Sequence, residues 1–267
     1  MIISANYSIR YGIFGHPRKP PLPAILALLL VASSAACTRA VSTKQPAVLV
    51  AAASDLRKVS QPLAAAFERS TGLGVAFSFA SSGQLEQQIR RGAPFDVYAP
   101  AARSYCQSLE RDGLAEGQDR LYARGRLVAW SKTLQLRSLD ELKESRVRRI
   151  AIANPRSAPY GMAAQQALQA AGLWPAVESK LVYGETVAHA YEMAETGNAE
   201  VALVAVALLK DAGPSVLPIP QSLYSPLEQA AVVLKSSRNK AAARAFLEFL
   251  SRAEAQRILE EYGFGHP

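Results

Sequence analysis

The sequence predicts an α/β protein of two lobes, each a mostly parallel sheet flanked by helices, and three observations carry that prediction. Between residues 48 and 206, short apolar runs alternate with stretches whose apolar residues recur at helical spacing, the pattern of parallel strands joined by crossover helices. The alternation breaks near the end, where two apolar runs flank a polar stretch bearing prolines. Two short segments, residues 126–131 and Ser225-Pro226-Leu227, read as places where the chain crosses from one lobe to the other. One lobe is then expected to hold residues 46–128 and 226–267, and the other residues 129–225, with a ligand cleft between them.

Taken in order, Val48–Ala53 is a buried strand that stops at Ser54-Asp55, two good helix-capping residues. Leu56, Val59, Leu63 and Phe67 then share one helical face, closed by Gly72-Leu73-Gly74. Val75, Phe77 and Phe79 alternate as a second strand, which ends at Ala80-Ser81-Ser82-Gly83 before a helix begins with Leu85 and Ile89. A third strand is expected at 95–99 and a helix at 104–111, followed by a strand at Leu127–Trp130. Ile150–Ala153, Leu181–Gly184 and 201–206 are further strands, with helices at 162–171 and 187–196 between them. Strands at 216–219 and 230–234 and one long helix over 241–259 complete the chain.

With 267 residues, 49% of them hydrophobic, the chain can bury a core. The formal charge is +8, and because three basic residues but no acid precede Cys37, cleavage there leaves about +5. The remaining Lys and Arg are scattered, with no aromatic platform among them, which argues against nucleic acid, while a modest positive field favours collecting a small anion. Residues 22–36 are largely apolar, follow Arg18-Lys19 and end in small residues, as a secretory signal over residues 1–36 would. Ser34-Ala35-Ala36-Cys37 also resembles a lipoprotein cleavage box, so Cys37 is a candidate for lipidation against plain cleavage or an uncleaved anchor. Residues 37–45 read as a linker. Cys37 and Cys106 are the only cysteines and form no metal-binding cluster with the three histidines; no metal site and no cofactor are expected.

Four strand-to-helix turns share one chemistry: Ser54-Asp55, Ser81-Ser82-Gly83, the proline-stiffened Asn154 to Gly161 loop, and Gly184-Glu185-Thr186-Val187. Each presents free first-turn amides, two add serine hydroxyls, and together they come from both expected lobes, which is what wrapping a small anion requires. Taken singly, each is an ordinary capped helix start. Catalytic motifs are missing: there is no G-x-S-x-G, no phosphate-binding G-x-x-x-x-G-K-[ST], and no paired carboxylates at telling spacing around Asp96 or Asp140. His189 reads as a surface group on a helix.

The motifs Ala51 to Leu56, Phe79 to Gly83, Gly92 to Asp96, Asn154-Pro155 with Ala158 to Gly161, Gly184 to Val187, Thr196 to Glu200 and Tyr262 to Phe264 run in order along residues 46–264. In them the sequence resembles the periplasmic molybdate-binding proteins of ABC transporters. The resemblance implies a type II periplasmic binding protein that is not an enzyme, carrying molybdate or tungstate to an ABC permease as a periplasmic or otherwise extracytoplasmic monomer, membrane-anchored if Cys37 is lipidated. It implies an anion cage made of the hydroxyls and amides of Ser54 and Ser82 with the amides of Asp55, Tyr160 and Val187. A tyrosine supplied in one branch of the family is replaced here by Ala205, and Ala101-Ala102 departs from the family's usual Ala-Asp. The alternatives are a binder of another small oxyanion or organic acid, and a secreted serine hydrolase using Ser54 or Ser82.

Overall fold

The computed structural model describes residues 46–210 and 215–267; the expected export segment, Cys37 and the linker lie outside the described residues. From the start, the chain forms β1 (Val48–Ala53), a 3₁₀ turn (Ser54–Leu56), α1 (Ser60–Thr71), β2 (Val75–Ala80), α2 (Ser82–Arg90), β3 (Val97–Ala99), α3 (Arg103–Arg111) and β4 (Ala115–Gly125). There follow β5 (Leu127–Trp130), β6 (Ile150–Ala153), α4 (Pro159–Ala170), the short α5 (Trp174–Val177), β7 (Leu181–Gly184), α6 (Val187–Glu195) and β8 (Val201–Ala205). The last elements are β9 (Val216–Pro218), β10 (Leu227–Leu234), α7 (Lys240–Leu250) and α8 (Ala253–Glu261).

The strands make two five-stranded sheets, ordered β2-β1-β3-β10-β4 and β7-β6-β8-β5-β9. In each, three neighbouring strands are parallel, the fourth is reversed, and the edge strand pairs antiparallel with it, so four of five point the same way. The reversed strands are the two that open a crossing: β5 follows β4 after Arg126 alone, and β10 returns the chain to the first sheet. A boundary after residue 128 would cut β5, whose Leu127 and Val128 already pair with Ala205 and Val204 of the second sheet, so the crossing falls at Arg126.

Helices cover both faces of the first sheet. Leu63, Phe67, Phe246, Phe249 and Leu259 of α1, α7 and α8 form one apolar layer, with Phe67 and Phe246 edge to face at 5.2 Å. Leu85, Ile89, Cys106 and Leu109 of α2 and α3 form the layer on the other face. The second sheet is packed in one cluster that includes Trp130, Leu142, Ile152, Leu168 and Leu203.

Other expectations change as well: the helix expected from residue 162 starts at Pro159, and the strand expected from 230 starts at Leu227. The helix after β1 does not begin at Ser54: a 3₁₀ turn intervenes, and no side chain caps either it or α1. β4 is absent from the sequence reading because its eleven residues, AEGQDRLYARG, are mostly polar; at a sheet edge its exposed positions tolerate charge. The expected single helix over 241–259 is two, since Arg252 is extended between α7 and α8, and Gln256 Nε2 donates to the Leu250 carbonyl at 2.6 Å, capping the end of α7.

Candidate functional site

β1, β2 and β6 end at their carboxyl edges in short turns, and the turn from β7 into α6 does the same, so four backbone segments converge between the sheets. They enclose a cavity of ≈ 10 Å³ lined by Ser54, Asp55, Ser81, Ser82, Tyr160 and Val187, with small residues such as Ala53, Ala80, Ala101 and Ala158 between them. That volume is about what a single water needs, far below the roughly 300–1,000 Å³ of pockets for organic ligands, so the four turns stand closely packed here. All five expected cage residues, Ser54, Asp55, Ser82, Tyr160 and Val187, line this one cavity.

Each serine hydroxyl is placed by a main-chain amide. Ser54, 2% exposed, accepts from Ala188 N at 3.2 Å, and Ser82, fully buried, accepts from Ala101 N at 3.0 Å. A hydroxyl whose lone pair is engaged in this way keeps its O–H to donate elsewhere. Ser82 is the first residue of α2, while the residue before it, Ser81, caps that helix: its Oγ accepts from Gln84 N, and Gln84 Oε1 accepts from Ser81 N. On α4, Pro159 at the first position has no N–H, so Tyr160 carries the first free donor. On α6, Ala188 N goes to Ser54 and His189 N goes to the Thr186 cap at 3.0 Å, leaving the Val187 amide at the cavity wall.

The cavity wall contains no Lys, Arg or His. Its one ionisable carboxyl, Asp55, turns inward: Oδ2 accepts from Gln229 Nε2 at 2.6 Å. Burial pushes this carboxyl up to about 6, against the lowering effect of Gln229, the nearby Tyr160 hydroxyl and the amides of Asp55 and Leu56. The cavity is therefore walled by neutral donors carried on helix starts, which suits an anion that can only accept.

The two sheets touch around it. Gly83 N donates to Ser157 O at 2.9 Å, and a Cβ on Gly83 would stand 3.1 Å from that oxygen, so a side chain there would crowd the approach. Arg57 of the first sheet's side pairs with Glu192 of α6 at 2.5 Å. Sequence reasoning missed Gln229 and the Gly83–Ser157 contact, because nothing near either residue in the chain announces a partner so distant.

Other singled-out residues sit elsewhere. Asp96 accepts from Leu49 N and from Ser237 Oγ, tying β3 to its neighbours. Cys106 is buried on α3. His189 is exposed and accepts from Glu185 N. Arg90 pairs with Glu86 and Asp112, and Arg148 with Glu200. Among the described residues no group of His, Cys, Asp or Glu is arranged to hold a metal ion.

Residues 48–265 match the family model of the bacterial extracellular solute-binding proteins. The chain belongs to that family. This solute-binding protein is 39% identical over 221 residues to the molybdate-binding protein ModA of Rhodobacter capsulatus, covering 81% of this chain and 87% of the relative. It is 36% identical over 245 residues to the molybdate-binding protein ModA of Azotobacter vinelandii, covering 88% and 96%. Its fold superposes on the Azotobacter vinelandii periplasmic molybdate-binding protein with a TM-score of 0.79 at 32% identity, over 82% of this chain and 99% of that one.

Proposed function

We propose that this solute-binding protein captures molybdate or tungstate in the cavity between its two sheets and delivers it to an ABC permease, acting by binding and not by catalysis. The observation that carries the reading is that donor groups from turns of both sheets, two serine hydroxyls and the first-turn amides of α2, α4 and α6, wall one small cavity that has no cation. Hydrogen bonds to an ionised acceptor are worth about 1.5–3 kcal/mol each, so several of them replace the water stripped from a tetrahedral dianion. The name of the relatives supplies the ion; the geometry supplies the donor set.

Size sets the selectivity. Sulfate has shorter bonds to oxygen than molybdate, and amides fixed on helix starts do not follow it inward. Two donors left without a partner cost about 1–3 kcal/mol each, giving discrimination on the order of a hundredfold. Phosphate, protonated near neutral pH, also brings an O–H into a wall of donors. Calorimetric titration with molybdate, tungstate, sulfate and phosphate at fixed pH and salt tests this, and sulfate displacing molybdate at comparable concentration would move the assignment to another oxyanion. The hydrolase alternative has little support: both serine hydroxyls hydrogen-bond to main-chain amides, an arrangement that orients them as donors and supplies no base.

The two sheets act as lobes that close on the ion, with the change of sheet at Arg126 and the return before Leu227 as hinges. Export places the mature chain outside the cytoplasm, beginning at or near Cys37. Mass spectrometry of the native amino terminus distinguishes a diacylated Cys37 from plain cleavage, and an intact Met1 on a cytoplasmic protein would overturn export.

A further inference from the structure

Behind the cavity wall the side chains of two cage residues meet. Asp55 follows β1 of the first sheet, Tyr160 opens α4 of the second, and both are buried. Asp55 Oδ2 is held by Gln229 of β10, whose Oε1 accepts from the Tyr122 hydroxyl of β4 at 3.3 Å. Asp55 Oδ1 and the Tyr160 hydroxyl, which lie beside one another, are left without a completed hydrogen bond. Gly125, the last residue of β4, makes room for that hydroxyl, since a methyl group there would overlap it. Three elements of the first sheet thus prepare a polar niche that one side chain of the second sheet enters.

We propose that Asp55 and Tyr160 are a positioning pair, in which carboxyl and hydroxyl lock the two donor turns together across the sheets and so hold both residues' amides on the captured anion. This rests on the anion-site reading above. Buried polar atoms left half-paired are costly, so the contact tightens as the sheets close. The groups facing Asp55 are Tyr160 from α4, Tyr122 from β4 and the neutral Gln229 from β10; burial holds both tyrosines well above their usual range, so neither carries charge near neutral pH. A dianion arriving beside a carboxyl whose pKa is already about 6 pushes it further up, so capture at neutral pH draws a proton onto Asp55.

The test is calorimetric titration of the mature protein with molybdate at pH 7, in buffers of different protonation enthalpy. Wild type should take up part of a proton. Asp55→Asn, which cannot titrate, should take up none, whereas Tyr160→Phe and Asp55→Ala should each bind about tenfold more weakly, the loss of one hydrogen bond. The double variant Asp55→Ala/Tyr160→Phe should be no weaker than the weaker single one, because the pair acts as a unit. Unchanged proton uptake in Asp55→Asn, wild-type affinity in Tyr160→Phe, or additive losses would each overturn the pair. If Asp55→Ala does not fold, the Asn and Phe variants still decide. A wild-type protein that binds no oxyanion would instead bring down the site reading and this pair with it, an outcome distinct from wild-type binding with indifferent variants.

Discussion

The turns after β1 and β2 are written alike, an apolar strand running into small hydroxyl residues, and they fold differently. After β2, Ser81 caps α2 through a reciprocal pair with Gln84, and Ser82 becomes the first helical residue, its hydroxyl fixed by Ala101 of its own sheet. After β1 the chain takes a 3₁₀ turn without a cap, and the Ser54 hydroxyl is held by Ala188 of the other sheet. One serine is positioned by its own sheet alone; the other is positioned only when the two sheets come together. In the proposed anion site, the pair would therefore separate a half preformed within one sheet from a half that needs both sheets together.

Ser82→Ala gives the largest effect, because it strikes both folding and binding. It removes a donor from the anion and leaves the Ala101 amide buried without an acceptor, so molybdate affinity should fall by about 1.5–3 kcal/mol and urea-unfolding stability by about 1–3 kcal/mol. Ser54→Ala should weaken binding by a similar 1.5–3 kcal/mol yet leave the ligand-free protein's melting temperature where it was, since its partner amide is freed to solvent when the sheets part. Equal melting shifts in the two variants would erase the distinction between the halves.

Asp55 sharpens the same contrast through pH. Its carboxyl is raised from 3.8 to about 6 in the folded protein, so between those values the folded state holds the extra proton. Stability from this group is thus highest below pH 4, declines as pH rises through that window, and is lower by up to about 3 kcal/mol above pH 6. Urea unfolding from pH 4 to 7.5 should show this decline in wild type relative to Asp55→Asn, in which the slope disappears. Parallel curves for the two proteins would mean that Asp55 titrates normally.

Much of this was legible in the sequence because strand ends and helix starts leave local marks. The run Val48 to Ala53 meeting Ser54, Gly72 in left-handed conformation at the end of α1, and Pro159 at the start of α4 are all decided within a few residues of chain. What was not legible depends on distant partners. β4 is a strand because β10, a hundred residues later, pairs with it, and its own polar composition says otherwise. The break between α7 and α8 is fixed partly by Gln256, which reaches both Leu250 O and Tyr122 O. Likewise, the sequence nominates Ser54 and Asp55 as caps, while the fold turns one toward Ala188 and the other toward Gln229.

The smallest effect expected is at the rim. Arg57 and Glu192 bridge the sheets at 2.5 Å beside the Ser54–Ala188 contact, but their side chains are 49% and 52% exposed. An ion pair so hydrated contributes well under 1 kcal/mol and is screened by salt, so Arg57→Ala should change molybdate affinity by less than about fivefold, and the difference should shrink between 20 mM and 500 mM salt. Its signature should lie in the off-rate: the pair joins groups that separate when the sheets open, so losing it makes the closed form easier to leave, whereas a rim cation acting only by long-range attraction of the anion would alter the on-rate. Stopped-flow measurement of molybdate release and capture at both salt concentrations separates the two. A slower on-rate with an unchanged off-rate would recast Arg57 as a steering charge and leave closure to the buried contacts of Ser54 and Gly83 alone.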